Sequence, residues 1–226
     1  MIKDRVAQLI YRVAFLAVSF IGIIESFGLF AGQTPGFGCL IYYTFLSNLL
    51  CFGVILAVTV STARYIKSGE LYGYNTVCPR FKFHSTIIIL VTFIVYNFIL
   101  VDNMFGAGWN NLGNITKHIV CPLMVFIDFL LFDEHRKLKL TDCLGCTVLP
   151  LIYVAVILMR AELLPEGYSG TLYPYFFLDA EKLGYGGVAV WVAVLLIAFV
   201  FIAFLLYLYD RVKYENGKFS FKMKNL

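Results

Sequence analysis

Apolar residues gather into six long runs along this chain, separated by short polar or Gly/Pro-rich connections. A helix needs about 20 mostly apolar residues to cross the hydrocarbon core of a bilayer. Runs of about that length lie near Val6–Phe30, Tyr42–Ser61, His84–Val101, Ile115–Phe132, Leu140–Met159 and Gly184–Tyr209. The pattern predicts an all-α, polytopic integral membrane protein, a six-transmembrane-helix bundle filling residues 1–226 as a single domain. The first run is too long for the apolar part of a signal peptide and reads as a retained span.

Composition agrees with that picture. Hydrophobic residues make up 61% of the chain and charged residues 14%, against roughly a quarter charged in soluble domains. Lysine and arginine then set the expected orientation. The N-terminal segment (Lys3, Arg5, Arg12), the second connection (Arg64, Lys67, Arg80, Lys82), the fourth (Arg136, Lys137, Lys139) and the C-terminal tail hold fifteen of them. The opposite side holds three: Lys117, Arg160 and Lys182. Six spans with this bias predict that both termini are cytoplasmic. The net charge of +4 thus belongs to an inner membrane face, so no nucleic-acid partner is expected.

Cys143-x-x-Cys146 opens an apolar helix without the βαβ setting of a redox motif, and the cysteines read as small buried hydrophobes. His84 and His118 fall at opposite ends of helices 3 and 4, too far apart to share a haem iron, and His135 lies in a connection. No metal and no other cofactor is called for.

Polar side chains inside the membrane are costly and mark candidate sites. Thr44, Ser47, Asn48 and Cys51 recur at i, i+3, i+4 and i+7, one face of helix 2. Ser85, Thr92, Tyr96 and Asn103 form a stripe on helix 3, with Asn97 and Asp102 flanking its outer end. Helix 4 begins with Lys117 and His118, and Pro122 follows one turn later. Asp128 lies deeper, has no obvious acid–base partner, and reads as a helix-packing residue. Thr44 and His118 each fall about one turn inside the outer boundary, since a helix rises about 1.5 Å per residue. A hydroxyl and a neutral imidazole in contact make a nucleophile–base pair. Ser47, Asn48, Asn97 and Asp102 are candidates to support it or to hold an oxyanion. The ordinary alternatives are a threonine bonded to its own helix and asparagines that bridge helices. The aromatic connection from Arg160 to Leu183 suits the headgroup region, with a cap over a cavity as the alternative.

The run Tyr42-Tyr43-Thr44-Phe45-Leu46-Ser47-Asn48-Leu49 resembles the androgen-induced and androgen-dependent TFPI-regulating protein family and its bacterial six-span relatives. So do His118-Ile119-Val120-Cys121-Pro122, the stretch from Asp128 to Asp133, and Leu172-Tyr173-Pro174-Tyr175 through Asp179 to Tyr185. The resemblance follows the chain in order over nearly its whole length, although each motif is short. It implies an intramembrane hydrolase of fatty acid esters of hydroxy fatty acids, with Thr44 as nucleophile and His118 as base. A membrane lipid or fatty-acyl ester would be the substrate, its carboxylate near Lys117 or Arg160. The Ser47-Asn48 pair and Asp128 look like the bacterial branch, which implies a bacterial inner membrane. A small transporter or channel, or a non-catalytic lipid-binding protein of the same fold, remains the alternative.

Overall fold

The computed structural model describes residues 2–28, 36–100, 112–215 and 218–221. Six helices are long and apolar enough to cross a membrane: α1 Arg5–Ser26, α2 Tyr43–Lys67, α3 Pro79–Leu100, α4 Leu112–Phe132, α5 Asp142–Leu163 and α6 Ala180–Arg211. The protein is therefore a multi-pass helical membrane protein, and the start of α1 and the end of α6 lie on one side of the bundle. We call that the terminus side, and the other the far side. A short antiparallel hairpin, β1 Val212–Glu215 with β2 Lys218–Phe221, follows α6.

Helix boundaries follow local chemistry. Asp4 caps α1 by accepting from the Val6 and Ala7 N–H groups. The first apolar run was expected to continue to Phe30, but α1 stops at Ser26, where Gly28 turns back with φ 81° and donates to the Glu25 carbonyl. α3 begins five residues earlier than the apolar run predicts, with Pro79 in its first turn. α6 opens on Asp179, which accepts from the Lys182 N–H, and bends at Gly184, whose φ of 64° suits glycine.

Charge burial is the dominant feature of the terminus-side half. Arg12 and Lys82, expected in solvent, lie inside the bundle with 0% and 1% exposure. Arg12 Nε is 2.8 Å from Asp128 Oδ1, and the Lys82 ammonium bridges Asp128 and Asp133. Asp128 thus has two cationic partners, supplied by α1 and α3, where the sequence offered none. The Arg12 guanidinium also donates to Thr62 on α2 at 2.9 Å, and Thr62 accepts from Asn75 in the α2–α3 connection at 2.9 Å. Thr76 donates to Asp133 at 2.8 Å. Two cations and two carboxylates balance, which is what makes their burial tolerable.

The N-terminal residues close over this cluster. Arg5 donates to Glu70, Gln8 Nε2 to the Ile2 and Gly73 carbonyls, and the Ile2 N–H to the Leu131 carbonyl. Apolar packing fills the rest: Phe83, Ile87, Val91 and Phe129 with Phe199 and Ala203 of α6, and Phe15, Ile55 and Val125 beside them. Cys51, Cys121, Cys143 and Cys146 are buried in these clusters and unpaired.

Breaking a buried pair from one side leaves an uncompensated charge, at a cost of about 3–5 kcal/mol. Asp128→Ala should therefore lower the stability of the purified protein by about that amount, read as its unfolding midpoint in detergent. The double variant Arg12→Met/Asp128→Leu keeps the Lys82–Asp133 pair and restores balance, so it should lose less than Asp128→Ala alone. A double variant that is less stable than the single one would contradict this account of the cluster.

Candidate functional site

Pro122 organises the far-side half of α4. Having no N–H, it leaves the carbonyls four and five residues earlier, those of His118 and Lys117, without a helical donor. The chain accommodates this as a π-helical turn over Thr116–Val120, in which the Cys121 N–H reaches back to the Thr116 carbonyl. The freed carbonyls are met from neighbouring helices. Asn48 Nδ2 on α2 donates to the Lys117 carbonyl at 3.1 Å, and Asn97 Nδ2 on α3 to that of His118 at 3.3 Å.

Asn97 itself sits in a second π-turn, Tyr96–Leu100. The Tyr96 ring lies flat on the His118 imidazole, with centroids 3.4 Å apart and planes at 11°. π-turns are rare and gather at functional sites; here two of them meet around one histidine. His118 is buried, and among the described residues its Nδ1 has no hydrogen-bond partner. Asn48 Oδ1 and the Tyr43 hydroxyl are the other partnerless buried polar atoms at this end of α2.

α1 approaches the same turn closely. A Cβ on Gly22 would stand 2.9 Å from Thr116 Cγ2, and one on Gly113 would stand 1.9 Å from Glu25 Oε2. The absence of a side chain at 113 is what lets Glu25 reach Lys117, at 2.8 Å.

Thr44 stands in the first turn of α2, beside a different partner. Its backbone N–H donates to the Tyr175 hydroxyl at 3.3 Å, and its own hydroxyl faces that of Tyr175. Burial pushes the Tyr175 hydroxyl above its ordinary pKa, and the hydrogen bonds from Thr44 pull the other way; the phenol stays protonated. The Thr44 carbonyl accepts from Ser47 Oγ at 2.9 Å and Asn48 Nδ2 at 2.8 Å, and Ser47 also meets Thr92 Oγ1 at 3.1 Å.

Behind Thr44 lies a narrow cavity of about 70 Å³ walled by α2, α3, α5, α6 and the α5–α6 connection. Val95, Val154, Leu178, Val192 and Phe199 line it, and Thr44, Tyr43 and Tyr175 stand at its polar end. The Tyr153 hydroxyl is spent on the Ile41 carbonyl at 2.7 Å, and Thr92 on that of Ile88 at 3.0 Å. The slot is therefore apolar along its length.

Among the described residues no hydrogen bond joins Thr44 to His118. The two looked equal in depth because α4 was expected to begin at Ile115, whereas it begins at Leu112 and carries His118 deeper. Asn48 marks the offset. It touches Lys117, so Thr44 lies four residues, about 6 Å, nearer the far side. The cavity lies between α2, α3, α5 and α6, and His118 is not in its wall. Ser47, Asn48 and Asn97 hold backbone carbonyls, and Asp102 lies outside the described residues. Lys117 is engaged by Glu25. Arg160 donates to the Thr171 and Leu172 carbonyls and covers the Tyr168 ring.

Sequence reasoning passed over Tyr96 as a ring partner and Tyr175 as a contact of Thr44. The aromatic connection caps the cavity: Phe177 and Leu178 are buried in its wall, and Tyr175 stacks on Phe177. Pro122, four residues after His118, was the one local signal that the histidine turn would need outside donors. Compared with protein-family models, curated proteins and solved structures, the chain matches none of them.

Stranding a buried carbonyl costs about 1–3 kcal/mol. Asn48→Ala and Asn97→Ala should each destabilise the bundle by about that much, measured by unfolding in detergent. Pro122→Ala returns a backbone donor, so the Asn97→Ala penalty should shrink in that background. An undiminished penalty would mean that Asn97 serves something other than the freed carbonyls.

Proposed function

We propose that this protein is an intramembrane lipid-ester hydrolase, of the kind that cleaves fatty acid esters of hydroxy fatty acids, with Thr44 as nucleophile and His118 as base. One observation carries the reading: a threonine hydroxyl ends an apolar slot between helices. Its apolar wall suits the methylenes next to an ester carbonyl, which would come to rest beside Thr44, and the slot would widen to admit the rest of the chain. In the reaction Thr44 Oγ attacks that carbonyl while its proton passes to His118. The alcohol leaves with the proton, and water then cleaves the acyl-threonine ester. Tyr175, a protonated phenol beside Thr44, is positioned to donate to the oxyanion.

The partnerless Nδ1 of His118 supports its role as a proton acceptor. Contact with Thr44 then runs through bridging water, since Asn48 ties the threonine turn to the histidine turn. The charge bias supports cytoplasmic termini, with the site near the outer leaflet, and the resemblance implies a bacterial inner membrane. The lack of a Thr44–His118 hydrogen bond favours a second reading, a non-catalytic lipid-binding protein of this fold.

A fluorophosphonate probe on purified protein separates the two. The hydrolase reading expects labelling of the wild type, an adduct on Thr44 by mass spectrometry, and no labelling of Thr44→Ala. A wild type that binds fatty acid but neither labels nor cleaves a panel of lipid esters would establish the second reading. His118→Ala should slow cleavage about 10²–10⁴-fold. The double variant should be scarcely worse than Thr44→Ala, because the pair acts as one unit. The base must be neutral, so the rate should fall about tenfold per pH unit on the acid limb. A flat acid limb would remove His118 from the mechanism.

A further inference from the structure

A second and larger groove lies on the terminus side. It has a volume of about 1180 Å³ and runs between the start of α5 and the lower half of α6. Its floor is apolar. Leu144, Ile197 and Phe201 are 63%, 70% and 60% exposed, and Val200 and Phe204 complete the surface. On α6 the residues Ile197, Val200, Phe204, Tyr207 and Arg211 recur at helical spacing, so one continuous face is presented.

The rim has the opposite character. Arg136, Lys137, Lys139 and Arg211 border the groove, and among the described residues no carboxylate lines it. Lys139 is exposed and, among the described residues, forms no ion pair. Lys137 reaches only Glu134, at 3.2 Å across a half-exposed surface, where an ion pair is worth about 0–1 kcal/mol. Arg211 is buried, held by the Leu138 carbonyl and 3.9 Å from Asp210 Oδ2, and lies over the Tyr207 ring at 4.5 Å, so the exposed lysines carry the free charge of the rim. The Thr141 hydroxyl adds a neutral donor beside them.

Dimensions connect the two parts. From Arg211 to Ile197 the helix rises about 21 Å, against about 15 Å for half of the hydrocarbon core. A chain lying on this face would begin at the cationic rim and reach the bilayer midplane. We propose that the groove binds a diacyl phospholipid with an anionic headgroup, drawn from the leaflet on the terminus side. The phosphate lies among Lys137, Lys139 and Thr141, and one acyl chain lies along α6. Charge complementarity selects the headgroup, since cations facing apolar surface at a membrane boundary attract anionic lipid. The groove adjoins the Thr44 cavity at Leu196, which lines both, and does not depend on the chemistry proposed there.

The test uses the full-length protein in mild detergent, titrated by native mass spectrometry. The probes are phosphatidylglycerol, phosphatidylcholine with the same chains, and sn-glycerol phosphate. Phosphatidylglycerol should bind about tenfold or more tighter than phosphatidylcholine, and glycerol phosphate should not bind in the same range. Lys137→Gln/Lys139→Gln should erase the preference without changing the unfolding midpoint in detergent alone, because both side chains are exposed. Val200→Trp should weaken phosphatidylglycerol binding by filling the floor. Equal binding of the two lipids to the wild type would overturn the proposal, as would a preference that survives the lysine substitutions. Glycerol phosphate binding as well as the lipid would make this a free anion site and overturn it too.

Discussion

Four charges buried in the terminus-side half hold the bundle's register. Arg12, Lys82, Asp128 and Asp133 come from α1, α3 and the end of α4, and each is positioned by partners on another element. Lipid offers no water to a stranded charge, so any sliding or rotation that separated them would expose a cost of several kcal/mol. Van der Waals packing between apolar helices has no such selectivity, because lipid tails are as apolar as leucine. The ion cluster therefore fixes which faces meet, and α2 and the α2–α3 connection are drawn in through Thr62, Asn75 and Thr76.

The far-side half follows a similar logic with neutral groups. Pro122 breaks the hydrogen-bond ladder of α4, and two asparagines from other helices repair it. The repair fixes α2 and α3 against the histidine turn, so the residues around His118 depend on three helices at once. Asn48 does more, since it also binds the Thr44 carbonyl and thereby sets the spacing between the threonine turn and the histidine turn. What looked like candidate catalytic polar groups are the fittings that hold the candidate catalytic pair at its separation.

Function, on this view, divides between the two ends. The far side carries a hydroxyl at the mouth of an apolar slot, closed over by the Tyr175–Leu178 segment. The terminus side carries a wide groove with a cationic rim. The first is enclosed and suited to selecting a chain, the second open and suited to a resident lipid. The two adjoin along α6, where Leu196 lines both.

Hydropathy alone determined the six helices and their order, because a backbone crossing lipid must satisfy its own hydrogen bonds and leaves an apolar run of fixed length. It also marked Thr44, Ser47, Asn48, Asn97 and His118 as unusual, since polar groups in such runs are costly wherever they fall. Only the tertiary structure decided what each one touches. Arg12 and Lys82 read as loop charges until Asp128 and Asp133 were brought beside them from another helix. Thr44 and His118 read as equals in depth until the start of α4 shifted by three residues and Asn48 came between them. Tyr175 could be placed against Thr44 by no local pattern, because the two lie 131 positions apart. A sequence records which residues are costly in lipid; which partner offsets that cost depends on how the helices are rotated and offset against one another, a property of the assembled bundle.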